Sequence, residues 1–403
     1  MHQMIRSMHW RVALAAAGFG LGAIAVLAGC GGGSGSSTPS GTVQVSLADS
    51  PACGYDHVYI TVDHVEISSD GNSWTTIPVS TGLGRIDLLS LTNGALLSLG
   101  QAPLPAGTYQ QVRLVLAANG SAAPWANSVV LTGTTTESAL KTPSGQQSGY
   151  KIVGPFTVPA GTMADLVLDF NACKSIVVAG ASGQYLLKPV VTAIAEAVRG
   201  SISGITKPGS QVYAEQQSST GPVIVTGTVA DPTTGEFILT PIPESSASGM
   251  VDVVIVPPTP TSGTGYATHI VLDVPVAASG TTRIGTLTTL AASTINTASG
   301  TVTVSGSPGA ANLVADQTVS SAARTYEIAS TATTTGPYSV PLAASGPWLA
   351  TYSTTLAITF TQDTATTDAG IYSITATDAA GTFSTQSVNV STGSVLLNFM
   401  LTP

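Results

Sequence analysis

Side chains capable of acid–base or metal chemistry are few and widely spaced in this sequence. His57 and His64 each follow an aspartate, Asp56 and Asp63, while His269 lies far along the chain. Side chains alternate between the two faces of a strand, so direct neighbours, and residues seven apart on one strand, point to opposite faces. The G-x-S-x-G, H-E-x-x-H, P-loop and EF-hand patterns are also missing from the sequence. We therefore expect no catalytic residues, no metal site and no cofactor.

The cysteine nearest the N-terminus follows an apolar run. Arg6 and Arg11 precede the uncharged stretch 12–27, which as a helix would rise only about 24 Å, less than the roughly 30 Å of a bilayer core. This length is typical of a signal peptide. The last four residues, Leu27-Ala28-Gly29-Cys30, resemble the lipobox of bacterial lipoproteins. The resemblance implies that residues 1–29 are removed and that Cys30 carries the lipid.

Lipidation would define where the protein works. Acyl chains such as palmitate contribute about 0.8 kcal/mol of membrane binding per buried methylene, so several chains hold a protein firmly. The residue after Cys30 is Gly31 rather than aspartate, which predicts sorting to the outer membrane, at its cell-surface or periplasmic face. The Gly/Ser-rich residues 30–41 are predicted to form a flexible tether. An uncleaved N-terminal anchor, or an ordinary signal peptide cut near Ala28, would also export the protein.

The two remaining cysteines, Cys53 and Cys173, lie outside the signal region. A pair of cysteines in an exported protein is most simply a disulfide. In the chain-entropy model, closing a loop of this length stabilises the fold by roughly 4 to 5 kcal/mol. Two buried free thiols are the alternative.

The composition is poor in charge. Only 8% of the residues are charged, and loss of residues 1–29 removes two of 12 basic and none of 21 acidic residues, so the formal net charge falls from −9 to −11. Binding to nucleic acid requires clustered lysine and arginine, so we expect no nucleic-acid partner. Abundant Gly, Ser, Thr and Val favour strands joined by turns.

Residues 42–199 form the first predicted domain. Val43, Val45 and Leu47 alternate with polar residues, and the run VYITVDHVEI at 58–67 precedes a turn containing Asp70-Gly71, which predicts a hairpin. Five ordered segments resemble the domain-of-unknown-function family 4382 of bacterial lipoproteins: LADSPACGYDHVYITVDHVEI, RIDLLSL, LPAGTYQQVRLVL, VLDFNACKSIV and YLLKPVV. The resemblance covers about 150 of the 403 residues and implies a β-sandwich without known catalytic residues.

The rest of the chain contains an internal repeat. VYAEQ at 212–216 recurs as LVADQ at 313–317, and TGEFIL at 234–239 recurs as TGPYSV at 335–340, both pairs at the same offset. Repeats of this length predict two similar β-sandwich domains. We place them at residues 200–295 and 296–403, and the first resembles the carboxypeptidase-regulatory or transthyretin-like fold. The predicted fold class is therefore all-β, with three serial β-sandwich domains behind a signal peptide and tether.

Two tryptophans beside prolines are the candidate ligand-binding residues. Trp125 follows Pro124 and Trp348 follows Pro347 in predicted loops, where an exposed indole could stack on a sugar ring. Each ring could instead cover the end of a sandwich core.

These features predict a lipid-anchored cell-envelope protein that is not an enzyme. The first hypothesis is surface binding or adhesion, with a glycan or an envelope protein as partner and the membrane bound through the lipid. The alternatives are a periplasmic scaffolding lipoprotein and a carbohydrate-binding accessory module. Burial of both tryptophans would favour the scaffold.

Overall fold

Alternating apolar residues and glycine-rich turns fold this chain almost entirely into β-strands, as the all-β prediction requires. A computed structural model describes residues 39–50, 54–179, 184–195, 199–243, 249–260, 263–355, 357–363, 365 and 368–402. Residues 39–403 form one compact unit. The predicted signal peptide and Cys30 lie outside the described residues. Within the described residues, no helix has the length and apolar character needed to cross a membrane.

The first segment contains strands β1 to β14, a 3₁₀ turn at Leu88–Ser90 and a short helix α1 at Ala172–Ser175. The strands are β1 Ser40–Ser50, β2 Tyr55–Ile60, β3 Val62–Ser68, β4 Thr75–Pro78, β5 Ile86–Asp87, β6 Leu97–Pro105, β7 Gly107–Leu116, β8 Ser128–Leu131, β9 Glu137–Lys141, β10 Tyr150–Val158, β11 Met163–Asn171, β12 Ile176–Ala179, β13 Gln184–Leu187 and β14 Val191–Ala195.

Three sheets surround the core of this segment. Their strand orders are β14-β11-β1-β6, β10-β7-β3-β4 and β12-β13-β9-β8-β2-β5, with β1 parallel to β11. The apolar positions of β1 all point inward, since Val43, Val45 and Leu47 are fully buried. Alternation along the first half of β1 thus reflects one face on the core, whereas in its second half Ser46 and Ala48 on the other face are buried as well.

The run 58–67 differs from the single strand expected. It breaks at Thr61, so β2 and β3 join different sheets. The Thr61 N–H donates to Asn127 Oδ1 at 3.2 Å, and its hydroxyl donates to the Ala126 carbonyl at 2.8 Å. These bonds replace ladder bonds at the break. The predicted hairpin is confirmed for β3 and β4, where Asp70 Oδ1 accepts the N–H of Ser73 at 2.8 Å.

The second segment forms two sheets. Its strands are β15 Arg199–Ile205, β16 Gln211–Ser218, β17 Gly221–Val229, β18 Glu236–Pro243, β19 Met250–Val256, β20 Gly263–Tyr266, β21 His269–Pro275 and β22 Thr281–Thr286.

The third segment follows the second along the chain and contains strands β23 to β33. Its strands are β23 Ala292–Val304, β24 Ser307–Pro308, β25 Ala311–Val319, β26 Arg324–Thr333, β27 Pro337–Ala343, β28 Trp348–Thr351, β29 Thr361–Gln362, β30 Ile371–Thr377, β31 Phe383–Asn389, β32 Val395–Leu396 and β33 Phe399–Leu401.

The two segments repeat one pairing pattern. The order β18-β15-β22 has its counterpart in β27-β23-β33, with the third strand parallel to the second in both. The order β17-β16-β19-β21 likewise corresponds to β26-β25-β30-β31. The recurring pairs VYAEQ and LVADQ occupy the equivalent strands β16 and β25. The offset in the sequence therefore corresponds to a repeat in the fold.

The second and third segments also share strands. The boundary expected between residues 295 and 296 falls inside β23, which pairs with β20 at one end and with β27 along its length. The central sheet is extended by the third segment, in the order β17-β16-β19-β21-β28-β29.

Both faces of this central sheet are covered. Val253 and Ile255 contribute to one apolar core, and Val254 to another. This explains why β19 is a continuous apolar run rather than an alternating one.

Candidate functional site

The lipidation and disulfide residues lie mostly outside the described part of the chain. Cys30 and Cys53 are not described, and neither is the Cys173 side chain. The backbone nevertheless pairs Ser50, the end of β1, with Asn171, the residue before helix α1. Cys53 therefore follows a strand end that lies beside the start of the helix containing Cys173. A bond between the two remains a prediction.

Trp348 lies in β28 rather than in a loop, and it is half-buried. Its ring stacks on His269 with centroids 6.1 Å apart, and the same imidazole meets the ring of Phe360 edge-on at 4.9 Å. His269 is buried; its Nδ1 donates to the Ala267 carbonyl at 3.0 Å and its Nε2 accepts the Ala291 N–H at 3.3 Å, an arrangement that matches one tautomer of the neutral ring. Burial lowers the pKa of His269 to about 4. The rings of His269, Trp348 and Phe360 therefore pack together at one edge of the central sheet.

Trp125 is half-buried and lies in the loop before β8. An asparagine pair holds this loop: the Asn127 N–H donates to Asn119 Oδ1 at 2.7 Å, and Asn119 Nδ2 donates to the Asn127 carbonyl at 3.0 Å. Arg85 Nη1 donates to the Trp125 carbonyl at 3.1 Å. The backbone that carries the indole is therefore fixed from both sides.

Arg85 also organises the adjoining sheet surface. Its Nη1 lies 2.6 Å from Glu137 Oε1, and its guanidinium carbon lies 3.9 Å from the centroid of the Tyr59 ring. The Tyr59 ring in turn stacks on His57 at 5.3 Å with an interplanar angle of 14°. We call these four residues, together with Trp125, the Trp125 face.

The charge of Glu137 is fixed by its neighbours. Burial raises the pKa of Glu137, but the Ser128 hydroxyl and the Arg85 guanidinium lower it more, so the pKa lies below its ordinary value. A carboxylate and a guanidinium paired in this way hold each other in place.

His57 and His64 have aspartate partners, though not as expected from strand alternation. His57 Nδ1 lies 2.7 Å from Asp87 Oδ2, a residue 30 positions away. His64 Nδ1 lies 2.7 Å from Asp63 Oδ2, so the expectation that these neighbours point apart is wrong. The pairing of β3 with β7 shifts register between Val62 and His64, and such a bulge turns successive side chains toward each other.

Asp87 is engaged mainly in structure. Its Oδ1 accepts the N–H groups of Val58 at 3.2 Å and Leu89 at 3.3 Å, the latter capping the 3₁₀ turn. The His57 side chain is 46% exposed, so the pair is open to water rather than enclosed in a pocket.

A second polar cluster, which no pattern in the sequence predicts, is buried where the three segments meet. Lys174 Nζ of α1 lies 3.3 Å from Glu327 Oε2, and the Glu327 N–H donates to Glu215 Oε2 at 3.1 Å. Burial raises the pKa of Glu215 well above its ordinary value, and burial likewise raises the pKa of Asp316 to about 7. The cluster joins segments, with the Glu215 and Glu327 carboxyl groups buried and the Lys174 side chain 37% exposed at its edge. Among the described residues, no three His, Cys, Asp or Glu side chains converge as metal ligands.

Comparison with known proteins identifies one family. Residues 40–189 match the family described as "Domain of unknown function (DUF4382)". This confirms the resemblance inferred for the first segment, although its biochemical activity is unassigned. No curated protein matches the sequence.

Solved structures give only distant superpositions. The Bacillus anthracis TIE protein is 11% identical with a TM-score of 0.18, and the match covers 90% of this chain and 50% of that one. The major pilin subunit BcpA of Bacillus cereus is 11% identical with a TM-score of 0.16, covering 90% and 99%. The shaft pilin spaA of Lactobacillus rhamnosus GG is 11% identical with a TM-score of 0.17, covering 51% and 98%. We draw no functional inference from superpositions this distant.

Proposed function

We propose that this protein is a lipid-anchored component of the outer membrane with a binding rather than a catalytic role. Cys30, following Leu27-Ala28-Gly29, is the proposed lipid attachment site, and residues 31–41 link it to the folded unit. The proposed binding surface is the Trp125 face, and the proposed ligand class is a glycan.

The observation that carries this proposal is the fixed stack of planar groups beside Trp125. Arg85 lies on Tyr59 and Tyr59 on His57, while Arg85 also holds the Trp125 carbonyl and Glu137. Surfaces that recognise ligands with rigid aromatic groups lose little side-chain entropy on binding. A surface with both aromatic and hydroxyl groups suits a sugar, because a sugar ring is apolar on its face and polar at its edge.

Catalysis is less well supported by the same surface. A His–Asp pair such as His57 and Asp87 can act as a general base, but a base must meet its substrate in an enclosed geometry to contribute strongly. Asp87 is instead engaged by two backbone N–H groups, and the imidazole lies open to solvent.

The binding proposal is tested with the purified full chain in detergent and immobilised bacterial polysaccharides, including peptidoglycan and lipopolysaccharide. Trp125→Ala should weaken binding about tenfold, since loss of one aromatic contact costs about 1.4 kcal/mol. Trp348→Phe is the matched control, because this indole packs against His269 inside the fold. Equal binding by wild type and Trp125→Ala would remove the Trp125 face from the proposal.

Location is tested on intact cells. Protease digestion of the C-terminal segment, with a periplasmic marker protected, would support a surface role. Protection until the outer membrane is permeabilised would favour the scaffolding alternative. Release of a Cys30→Ala variant from membranes is expected, and unchanged membrane retention would overturn the lipid anchor.

A further inference from the structure

Two buried carboxyl groups meet where the central sheet ends. Asp363 follows β29 directly and is 6% exposed, and Asp368 is 2% exposed. Asp363 Oδ1 accepts the Ala365 N–H at 3.1 Å. Its other oxygen, Oδ2, is shielded from solvent and accepts no hydrogen bond. A buried carboxylate oxygen without a partner costs folding free energy, so its position needs an explanation.

Asp368 accepts hydrogen bonds from the turn that follows β25. Its Oδ1 accepts the Ser320 hydroxyl and its Oδ2 the Ser320 N–H, both at 2.6 Å, while its main-chain carbonyl accepts Gln317 Nε2 at 2.8 Å. Hydrogen bonds this short are typical of an ionised acceptor. Asp368 is thus held in place by the turn that follows β25.

The two carboxyl groups are close enough to act on each other. Burial and the neighbouring Asp368 carboxyl both raise the pKa of Asp363, and the Ser321 hydroxyl opposes the rise. Two carboxylates in contact away from water repel strongly unless a proton or a cation lies between them. In the described part of the chain, Asp363 has no ion pair with lysine, arginine or histidine, so no basic side chain there neutralises its carboxyl group.

We propose that Asp363 and Asp368 are the anionic ligands of a calcium site. The side-chain atoms available to bind a cation here are all oxygens, which hard cations prefer as ligands. Calcium tolerates the irregular geometry of carboxylates in a loop better than magnesium does. No third acidic residue joins them among the described residues, so neutral oxygens, such as the Ser321 hydroxyl beside Asp363, would complete the shell. Two charged ligands suit an affinity of about 10⁻⁴ to 10⁻³ M, the range of extracellular calcium modules.

Calcium at this point would join two sheets. Asp363 belongs to the end of the central sheet, whereas Ser320, which holds Asp368, begins the turn between β25 and β26 of the last sheet. Cation binding would therefore stabilise the contact between these sheets, independently of ligand binding at the Trp125 face.

The test is thermal unfolding of the full-length protein in detergent, first with a chelator and then with 10 mM calcium chloride, about ten times the weaker expected dissociation constant. Calcium should raise the melting temperature by about 2 °C or more, and magnesium at the same concentration by less. Asp363→Asn should abolish the calcium shift. Asp378→Asn, which alters a carboxyl group capping the separate turn to Thr382, should retain it.

Terbium luminescence gives a second readout that does not depend on the variant folding. Trp348 pairs with Gln362, and the Asp363 N–H donates to the Pro347 carbonyl at 2.9 Å, so Trp348 lies on the strand next to Asp363, within the range of energy transfer to a bound terbium ion. Terbium added to the wild type should show tryptophan-sensitised emission that calcium displaces. Trp348→Phe should reduce this emission while keeping the calcium shift in melting temperature.

Two results would overturn the proposal. The first is a wild-type melting temperature that calcium does not change, together with no displaceable terbium emission, which would mean that the carboxyl groups share a proton only. The second is an equal shift with calcium and magnesium that persists in Asp363→Asn, which would indicate a general ionic effect.

Discussion

Replacing Arg324 by methionine should loosen the contact between the central and last sheets. Arg324 Nη1 lies 2.6 Å from Asp252 Oδ1 on β19, and Nη2 lies 2.7 Å from Asp273 Oδ1 on β21. The Asp252 carboxylate is 4% exposed and also accepts the Tyr326 hydroxyl at 2.9 Å. Arg324→Met keeps much of the length of the side chain but leaves this buried carboxylate without its cation.

The magnitude follows from burial. Breaking a fully buried ion pair costs about 3 to 5 kcal/mol. The Arg324 side chain is 28% exposed, and Asp252 keeps the Tyr326 hydroxyl and the Asp273 N–H, which lies 2.9 Å from its Oδ1. We therefore expect a loss of about 2 to 3 kcal/mol in the free energy of unfolding.

Urea unfolding followed by tryptophan fluorescence and circular dichroism measures this loss. Asp273→Asn is the control: the Asp273 side chain is 43% exposed, so its ion pair should contribute less than about 1 kcal/mol. In an Asp252→Asn background, Arg324→Met should cost clearly less than in the wild type, because the buried charge is already gone. An Arg324→Met variant within about 0.5 kcal/mol of the wild type would refute the reasoning, because the buried carboxylate would then not need its cation.

Three further results are expected. Burial raises the pKa of Asp169 to about 8 from an ordinary 3.8, so the folded state retains a proton that the unfolded state releases. The free energy of unfolding should therefore fall as pH rises from about 4 to 8, by up to about 1.4 kcal/mol per pH unit. Urea titrations at pH 5 and pH 8 should show this fall in the wild type and a smaller one in Asp169→Asn. Gly235→Ala should lower the free energy of unfolding by more than about 2 kcal/mol in the same assay, because Gly235 has φ of +74° and a Cβ there would overlap the Thr206 carbonyl oxygen. A loss below about 0.5 kcal/mol would contradict this reasoning. Alkylation mass spectrometry should find Cys53 and Cys173 protected until reduction, whereas labelling without reductant would indicate free thiols.

Local patterns in the sequence predicted much of the fold, and long-range contacts account for the differences. Val43, Val45 and Leu47 were predictable because one face of β1 meets a core. The break at Thr61 was not, because it depends on Asn127, a residue 66 positions away. Long-range pairing also extends the central sheet with strands of the third segment, and no local pattern signals it.

The same distinction applies to the candidate sites. Trp125 could be singled out from its neighbouring proline, but its anchor Arg85 is 40 residues away. The His57–Asp87 contact spans 30 residues, so spacing arguments limited to direct neighbours missed it. The proposed calcium site leaves no signature in the sequence, because what distinguishes it is a buried Asp363 oxygen that folding leaves without a hydrogen bond beside the Asp368 carboxyl group.

The parallel pairing of β21 with β28 has a consequence for the order in which the chain folds. His269 pairs with Trp348, which lies far along the chain in the third segment, so the edge of β21 stays open until that segment arrives. Open strand edges recruit other chains, and non-local parallel pairing forms slowly. A chain that folds from its N-terminus would therefore expose an aggregation-prone edge, and in the exported protein that we propose, periplasmic chaperones would have to cover it.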